Sequence, residues 1–363
     1  MSEQRYMQLA LDLAAKAVGR TSPNPPVGAV VVRDDEIVGR GFHPAAGEPH
    51  AEVFALADAG VKAAGASLYV TLEPCNHQGR TGPCTEAIIA AGVSQVIVGI
   101  PDPNPHVAGT GIERLRQAGI DVSIGVLADE CQRLIAPFAK HITTGLPLVT
   151  LKMAMTLDGQ TATASGDSQW ISSEESRLHV HRMRDQSDAI MVGIGTVLTD
   201  NPRLTTRLPE GGKDPVRIVV DSNLRISNSA HVLPGESSTS VIIVTTDRAD
   251  EARIAEFTSA GVEIIVVPEN NKLVDLNAMM AELGRRQIQS ILLEGGATLA
   301  AEALRRKVID RAAVFIAPKF LGGADGAGLF SGPGCSQISD AVQLQNIRLQ
   351  KFADDVLIEG EII

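Results

Sequence analysis

Helical and strand-like patterns of apolar residues alternate along the first 145 residues of the chain. Apolar residues three or four positions apart predict amphipathic helices, and continuous apolar runs predict buried strands. Two such runs flank Asp34-Asp35 and predict a β-hairpin. The predicted strands are 27–32, 36–41, 67–72, 93–100 and 120–126, and the predicted helices are 6–19, 50–60, 85–91, 112–118 and 128–144. This alternation indicates an α/β/α sandwich with a mixed sheet.

The pattern changes at Gly145-Leu146-Pro147, which predicts a boundary between a domain over 1–145 and a domain over 146–363. A chain of 363 residues is long for one domain and suits two. An apolar strand that carries Lys152 opens the second domain and leads into a loop rich in glycine and polar residues. Further apolar runs predict a second α/β domain; they are 216–222, 240–246, 262–268 and 290–294.

One stretch of the first domain, from His50 to Cys84, carries potential metal ligands. His50, Cys75 and Cys84 are soft or borderline metal ligands. Glu52 is a nearby carboxylate that is not needed to complete a set of three ligands. Three protein ligands and an open fourth position are typical of catalytic zinc. The order His-x-Glu, then Pro-Cys, then a further Cys is the signature of hydrolytic deaminases, in which the glutamate moves protons.

The predicted local structure favours a shared site. Residues two apart on a helix point in different directions, so His50 and Glu52 meet at one metal only where the helix begins. Cys84 opens another predicted helix, whose N-terminus favours the thiolate form. His-x-Glu alone, or two cysteines alone, is common without a metal, whereas the ordered combination is specific. A closed four-ligand site that adds His43 or His77 remains an alternative.

The composition argues against several partners. The formal net charge of −11 disfavours nucleic-acid and membrane-surface binding, which a basic face would serve. No apolar run suggests a membrane span, and the first ten residues lack the form of a signal peptide. Four cysteines in so long a chain do not make a disulfide scaffold. We therefore expect a cytoplasmic protein without nucleic-acid or membrane partners.

Two strand ends of the second domain are rich in glycine. ILLEGGATLA places Glu294 and two glycines between a strand and a helix, and VGIGTVLTD has a similar form. Such ends let backbone amides approach phosphates, although tight packing alone gives the same pattern. Neither stretch has the Rossmann fingerprint, so the residues by themselves leave the cofactor undecided.

Longer motifs give a family resemblance over the whole chain. TLEPCNHQGRTGPC, with PNPPVGAVVV and GFH upstream, resembles the deaminase half of the bifunctional riboflavin-biosynthesis deaminase/reductases, which usually have proline where this chain has Gly82. LKMAMTLDG, GDSQWIS, DAIMVGIGTVLTDNPRLTTR and LLEGGATL resemble the reductase half. The resemblance implies a cytidine-deaminase-like α/β/α sandwich followed by a dihydrofolate-reductase-like α/β domain, with Zn²⁺ and NADPH as cofactors.

The resemblance also implies binding residues. Asn24 would lie at the deaminase substrate pocket, and His43, just before the zinc helix, is a further candidate there. His77 and Arg80, in the long insert between the two cysteines, are candidates for holding the substrate phosphate. The implied NADPH-facing residues are Ala154, Trp170, Thr196, Asp200, Ser222 and the loop Gly296–Glu302, which includes Ala297, Thr298 and Leu299. The implied reductase substrate residues are Ser168, Arg184, Leu204, Arg207 and Glu294.

We expect two successive reactions on one phosphorylated pyrimidine. Hydrolytic deamination of a diaminohydroxyphosphoribosylaminopyrimidine, with Glu52 as the proton carrier, would precede reduction of the ribosyl chain to ribityl. Lys152 and Asp200 are the titratable candidates near the transferred hydride, and Lys152 would polarise the sugar carbonyl or protonate its oxygen. The resemblance also implies a homo-oligomer.

Two alternatives are open at this point. The first is a deaminase of free nucleosides, nucleobases or RNA, although the acidic charge opposes RNA. The second is a zinc-stabilised domain attached to a nucleotide-binding sensor that does no chemistry. A structural zinc site has no use for Glu52, so the glutamate separates this alternative from an enzyme.

Overall fold

A computed structural model describes residues 3–77, 82–105, 107–235, 237–323 and 325–363. The chain divides into two units, Met1–Gly145 and Leu146–Ile363, and each is described by itself. The hydrophobic clusters draw their residues from one unit or the other. Within the described ranges, no helix is both long enough and apolar enough to cross a membrane.

The first unit alternates helices and strands largely as the hydrophobic pattern predicts. Its strands are β1 Gly28–Arg33, β2 Glu36–Phe42, β3 Ser67–Leu72, β4 Gln95–Ile100 and β5 Asp121–Ile124. Its α-helices are α1 Glu3–Ala15, α2 Ala51–Ala59, α3 Cys84–Ala90, α4 Thr110–Gln117, α5 Ala128–Leu134 and α6 Ala136–Thr144, and a 3₁₀ turn spans Gly60–Ala63. Prediction and structure agree in full at β3, whereas the single helix predicted over 128–144 is two helices that meet at Ile135.

These strands form one mixed sheet in the order β2-β1-β3-β4-β5. β1 is antiparallel to both of its neighbours, and β3, β4 and β5 run parallel. Asp34 and Asp35 both have positive φ, at 51° and 62°, as a tight hairpin turn requires. Successive residues of a strand face opposite sides of the sheet, so Val31 packs with α2 and Val30 packs with α1. Helices therefore cover both faces, which gives the predicted sandwich.

Helix α1 lies very close to β1. A Cβ atom added at Gly28 would be 1.9 Å from the carbonyl oxygen of Ala10, so only glycine fits there without a shift of the backbone. Gly39 and Gly41 bring β2 equally close to α2, because a Cβ at either position would be 2.2 or 2.3 Å from a helix carbonyl oxygen. The glycines of the first hairpin thus set how closely the helices approach the sheet.

The second unit contains thirteen strands and five α-helices within its described residues. The strands are β6 Leu148–Thr156, β7 Gln160–Ala162, β8 Ala189–Gly193, β9 Val216–Val220, β10 Val241–Thr245, β11 Glu263–Val266, β12 Glu269–Asn270, β13 Leu273–Val274, β14 Ser290–Glu294, β15 Arg311–Ala317, β16 Ala327–Gly328, β17 Leu344–Phe352 and β18 Asp355–Ile362. The helices are α7 Glu174–Asp185, α8 Ile194–Asp200, α9 Glu251–Ser259, α10 Leu276–Arg285 and α11 Ala297–Arg305.

Nine of these strands form one sheet in the order β11-β10-β9-β8-β14-β6-β15-β18-β17. The pairs from β11 to β15 are parallel, and β18 is antiparallel to β15 and β17. Parallel strands end at one edge of a sheet, where α/β proteins place their ligands. Gly193 and Glu294 end β8 and β14 at this edge, and Lys152 lies within β6 as the register partner of Glu294.

Candidate active sites

The three potential metal ligands of the first unit come from three different elements. His50 is the residue that caps the start of α2, Cys75 follows the end of β3, and Cys84 is the first residue of α3. Nδ1 of His50 is 3.2 Å from Sγ of Cys84 and 3.5 Å from Sγ of Cys75. All three ligand atoms lie within 4.8 Å of one another. Helix starts and a strand end thus place the three side chains around one point.

This ligand set fits zinc. One imidazole nitrogen and two thiols are among the ligands that zinc takes in tetrahedral sites. Among the residues that the structure describes, no fourth histidine, cysteine or carboxylate joins the cluster. Both ring nitrogens of His43 are engaged elsewhere, and His77 is exposed outside the cluster. The geometry therefore matches a three-ligand site with an open position rather than the closed alternative.

The pKa values of the two thiols are shifted in opposite directions. The pKa of Cys75 is lowered to about 4, first because the Cys84 thiol donates a hydrogen bond to its sulfur, and His50 lowers it further. The pKa of Cys84 is raised by the same hydrogen bond and by burial. Hydrogen bonding to Cys75 raises the pKa of His50. A thiolate is therefore already favoured at Cys75, as metal binding requires.

Glu52 lies beside this cluster, as the second residue of α2. Its side chain is 3% exposed. Burial raises its pKa to about 7, and the negative charge of Cys75 adds to the shift. A carboxyl group with a pKa near neutrality takes up and releases protons readily at physiological pH.

Asn24 and His43 form a hydrogen-bonded pair next to the metal ligands. Nδ1 of His43 donates to the carbonyl oxygen of Pro49 at 3.0 Å, which leaves Nε2 to accept from Nδ2 of Asn24 at 3.0 Å. The ring of His43 stands edge-on to that of His50, with centroids 5.2 Å apart. Burial lowers the pKa of His43. His43 thus joins Asn24 to the segment that begins α2.

The insert between the two cysteines carries the two predicted phosphate residues. His77 is exposed. Arg80 lies outside the described residues, within the gap at 78–81. A role for either residue in holding the substrate phosphate stays a prediction.

Sequence reasoning missed two carboxylates near the cluster. Glu73 is buried at the end of β3, where both of its oxygens accept hydrogen bonds from backbone amides. Asp102 is half-buried and accepts a hydrogen bond from the backbone N–H of Asn104 at 2.8 Å. Burial raises the pKa of Asp102, and Glu73, His77 and Cys75 are among the charges that act on it. An acidic residue directly before Pro-Cys at a strand end was the available signal for Glu73.

In the second unit, Lys152 and Glu294 are register partners on the adjacent parallel strands β6 and β14. Arg184 of α7 makes a bidentate ion pair with Glu294, with Nε–Oε1 at 2.7 Å and Nη2–Oε2 at 2.9 Å. The remaining terminal nitrogen of Arg184 donates to the carbonyl oxygen of Thr205 at 3.0 Å. Neighbouring strands and one helix thus bring together three of the residues singled out in the sequence.

The charges of this group influence one another. Burial alone would raise the pKa of Glu294, but Arg184 and then Lys152 lower it to about 2. Burial lowers the pKa of Lys152, and the charge of Glu294 opposes that shift. The pKa of His181 falls to about 4 because of burial and the nearby charges of Arg184 and Arg207. The carboxylate therefore stays ionised, and the lysine gives up its proton more readily than a free lysine does.

The two arginines among the implied reductase substrate residues differ in exposure. The side chain of Arg184 is 12% exposed and is held by Glu294. Arg207 is exposed, and its Nη1 donates to the Thr205 hydroxyl at 3.1 Å. Leu204, another predicted substrate residue, is 3% exposed and its side chain belongs to the core. Arg207 is consequently the more accessible of the two cations.

The residues expected to face NADPH lie mainly at the glycine-rich strand ends. Thr196 of α8 approaches the Gly295-Gly296 turn so closely that a Cβ at either glycine would be 3.3 Å from its hydroxyl oxygen. Thr298 accepts a hydrogen bond from Ser331 at 3.0 Å, and Ser222 accepts one from the backbone N–H of Val274 at 3.0 Å. The ends of β8, β9 and β14 thereby contribute to one edge of the sheet.

The remaining predicted residues are less enclosed. Trp170 is 63% exposed, and the guanidinium of Arg177 lies 4.5 Å from the centroid of its ring. Asp200 is exposed at the end of α8, and burial of its carboxyl group still raises its pKa. Ser168 and Ala154 are half-buried, whereas the side chain of Leu299 is in the core. Within the described ranges, no hydrogen bond or ion pair joins Asp200 to Lys152.

Comparison with known proteins identifies the family. The RibD C-terminal domain model matches residues 147–358, and the cytidine and deoxycytidylate deaminase zinc-binding region matches residues 1–100. The riboflavin biosynthesis protein RibD of Escherichia coli K12 is 44% identical over 372 aligned positions, covering 99% of each chain. The chain belongs to the RibD family. The RibD of Aquifex aeolicus is 42% identical and covers 98% of this chain and 97% of its own.

Solved RibD structures agree with this assignment. Acinetobacter baumannii RibD, form 1, has a TM-score of 0.87 at 37% identity, covering 99% of this chain and 98% of its own. The Thermotoga maritima diaminohydroxyphosphoribosylaminopyrimidine deaminase/5-amino-6-(5-phosphoribosylamino)uracil reductase has a TM-score of 0.85 at 38% identity, with the same coverage.

These comparisons confirm the predicted family, fold class and enzyme type. The chain is a bifunctional deaminase/reductase of riboflavin biosynthesis, with a zinc-binding, cytidine-deaminase-like domain and a dihydrofolate-reductase-like reductase domain. NADPH fits the reductase of this family. The alternative of a sensor without chemistry is wrong.

Proposed function

We propose that the unit over 1–145 hydrolytically deaminates diaminohydroxyphosphoribosylaminopyrimidine, and that the unit over 146–363 then reduces 5-amino-6-(5-phosphoribosylamino)uracil. The substrates are those named for the Thermotoga maritima relative, which this chain matches over nearly its whole length. The observation that carries the proposal is the cluster of His50, Cys75 and Cys84 with the buried Glu52 beside it. The working compartment is inferred to be the cytoplasm, and a homo-oligomer stays an expectation of the family resemblance.

For deamination, His50, Cys75 and Cys84 would hold zinc through one nitrogen and two sulfur atoms. Zinc in such a site supplies the Lewis acidity that activates water for attack. Glu52 accepts a first proton from the attacking water and passes it to a ring nitrogen, and it then carries a second proton from the newly added hydroxyl group to the departing amino group. Burial keeps this carboxyl group out of bulk water beside the metal ligands, where the same group must gain and lose a proton in each turnover.

For reduction, Lys152 is the proposed proton donor to the sugar oxygen. Its register partner Glu294 stays ionised. The ion pair of Glu294 with Arg184 therefore keeps one negative and one positive charge at fixed positions near the lysine. The exposed Arg207 is the better placed of the two arginines to bind the substrate phosphate. The nicotinamide carries out the hydride chemistry, and the protein orients the two reactants. Asp200 stays a second candidate for proton transfer.

A single assay tests the order of the two reactions. The full chain, loaded with zinc, is given the phosphorylated diaminopyrimidine and NADPH, and ammonia release and NADPH oxidation are followed together. Ammonia must appear first, and NADPH loss must lag behind it. Oxidation of NADPH without ammonia would contradict the proposed sequence, and ammonia without any NADPH oxidation would contradict the reductase assignment.

A further inference from the structure

A carboxylate two residues before Cys75 has no part in the proposed reaction. Glu73 is 4% exposed at the end of β3. Each of its two oxygens accepts two backbone N–H groups. The donors are Asp102 at 3.0 Å and Gly109 at 3.0 Å to Oε2, and Gly111 at 2.9 Å and Ile112 at 3.2 Å to Oε1. A charged acceptor with four amide donors is held much more firmly than a single neutral hydrogen bond would hold it.

Three of these donors belong to the start of α4. The first N–H groups of a helix have no partner within the helix, and the residue that precedes the helix usually supplies one. That residue is Gly109, which has no side chain to do so. Glu73 takes this role from a different strand, and its negative charge lies at the positive end of the helix. The fourth donor, Asp102, is in the segment that leaves β4.

The start of α4 also contacts the backbone that follows Glu73 in the chain. A Cβ atom added at Gly111 would be 2.0 Å from the carbonyl oxygen of Pro74, so the segment lies directly against the residue before Cys75. Nδ2 of Asn76, the residue after Cys75, donates to the carbonyl oxygen of Thr110 at 3.4 Å. The residues around Cys75 therefore hold the segment 109–112 and the backbone of Asp102 in place.

The segment 109–112 contacts the residues on either side of Cys75. Asp102 is half-buried, and the charges of Glu73, His77 and Cys75 act on its carboxyl group. The hydrophobic cluster around α2, β3 and α3 also includes Ile112 and Leu115 of α4. None of the three metal ligands is among the hydrogen-bond partners of Glu73, so the carboxylate acts on the surroundings of the reacting centre through α4.

We infer that Glu73 is a positioning residue for deamination, which fixes the segment 109–112 and Asp102 beside Cys75 and so shapes the wall against which the pyrimidine binds. The inference rests on the proposed deaminase function. It assigns to Glu73 an effect on substrate binding that is separate from zinc binding and from proton transfer. A residue that only supported the fold would affect zinc content, kcat and KM together.

The test is Glu73→Gln in the full, zinc-loaded chain. The amide replaces one accepting oxygen by an NH₂ group, which then faces N–H donors, and the segment shifts. We expect KM for the diaminopyrimidine to rise about tenfold or more while kcat stays within about threefold. Zinc content is expected to be unchanged, and NADPH oxidation with the uracil substrate reports that the second unit is intact.

Two further variants and one direct measurement sharpen the test. Glu73→Asp keeps the charge on a shorter side chain and should restore part of the KM. Glu86→Gln is the matched control, because Glu86 is an exposed carboxylate that pairs with Arg114 of α4 at 2.7 Å. Its KM should stay within about twofold. Hydrogen exchange should find the four amides protected in the wild type and exposed in Glu73→Gln.

The outcomes separate the possible failures. An unchanged KM in Glu73→Gln overturns the inference, and so does a loss of zinc accompanied by a loss of kcat. If Glu73→Gln does not fold, Glu73→Asp decides by the same comparison of KM with kcat. Wild-type protein that releases no ammonia from the diaminopyrimidine overturns the proposed function instead, while protected amides would still establish the contact of Glu73 with the segment.

Discussion

Glu52 and Glu294 are both buried carboxylates, and their surroundings move their pKa values in opposite directions. Glu52 is desolvated beside the negative charge of Cys75, and its pKa rises to about 7. Glu294 is also desolvated, but Arg184 and Lys152 lower its pKa to about 2. The first group can exchange a proton at neutral pH, whereas the second stays a fixed negative charge. The neighbouring charges, rather than burial, account for this difference.

Replacing Glu52 by glutamine should abolish proton transfer without removing a metal ligand. We expect ammonia release to fall at least about a hundredfold, with zinc content and NADPH oxidation unchanged. The measurement is the deamination rate beside zinc analysis of the purified variant. Glu48→Gln, at an exposed position on the same segment, is the control and should behave as the wild type does. Normal ammonia release from Glu52→Gln would exclude the assigned role.

Replacing Lys152 by alanine should affect only the second reaction. Glu294 keeps its ion pair with Arg184 in this variant, so the unit is expected to fold. NADPH oxidation with the uracil substrate should fall about a hundredfold or more, because the proton donor is missing, while deamination survives. Lys307→Ala, at an exposed position, serves as the control. Near-normal reduction by Lys152→Ala would remove the lysine from the mechanism.

Glu294 should also make the stability of the second unit depend on acidity. Its folded-state pKa of about 2 lies below the ordinary value of 4.5, so its contribution is present above pH 4.5 and is lost as the pH falls towards 2. A shift of this size corresponds to on the order of 3 kcal/mol. Urea unfolding at several pH values should show this loss in the wild type but a smaller loss in Glu294→Gln. The exposed Glu251→Gln should retain the wild-type slope; equal slopes in all three proteins would contradict the assignment.

At the scale of elements, the hydrophobic pattern predicted most of the first unit. Strand β3 was found at its predicted residues, and the start of α2 places His50 and Glu52 together as the helix argument required. The predicted helix over 128–144 divides at Ile135 because Pro137, which cannot donate a backbone hydrogen bond within a helix, lies in the first turn of α6. The hydrophobic pattern, the number of potential metal ligands and the ends of helices depend on residues that are close in the sequence, so they can be predicted from it.

Other elements could not be predicted in this way. The strands β15, β17 and β18 were missed, and β17 is almost wholly exposed at the edge of its sheet, where no buried face imposes a pattern. The pairing of Lys152 with Glu294 depends on the register of strands far apart in the chain. Glu73 directly precedes Pro-Cys, but its four partners are backbone groups 29 to 39 positions further along the chain, so its role does not show in the sequence.

The close approach of α1 to β1 gives a prediction at this scale. Gly28→Ala places a Cβ where the carbonyl oxygen of Ala10 lies, so the helix must move away from the sheet. We expect the free energy of unfolding of the first unit to fall by about 1–3 kcal/mol. Thermal unfolding measures the effect, and Gly195→Ala, where a Cβ would meet nothing within 4 Å, is the control. Equal stability of the two variants would show that the helix is not constrained at this point.

At the scale of the whole molecule, two chemistries occupy two units with separate cores. Each hydrophobic cluster is built from one unit only, and the potential zinc ligands all belong to the first. The candidate reductase residues all belong to the second. Loss of the metal should therefore disable one reaction and spare the other.

Removal of zinc tests this separation. A chelator such as dipicolinate should abolish ammonia release from the full chain and leave NADPH oxidation with the uracil substrate within about twofold of its starting rate, because His50, Cys75 and Cys84 all belong to the first unit. Added zinc should restore deamination. A parallel loss of both activities would contradict the independence of the two units.

The register of β6 against β14 has a genetic consequence. Side chains alternate between the two faces of a strand, so the loss or gain of a single codon within β6 ahead of Lys152 would turn the lysine to the opposite face. Substitutions can alter this site gradually, but the insertion or deletion of one residue in β6 abolishes it in one event. Lineages descended from this enzyme should therefore vary in length in their loops and keep the length of β6 fixed.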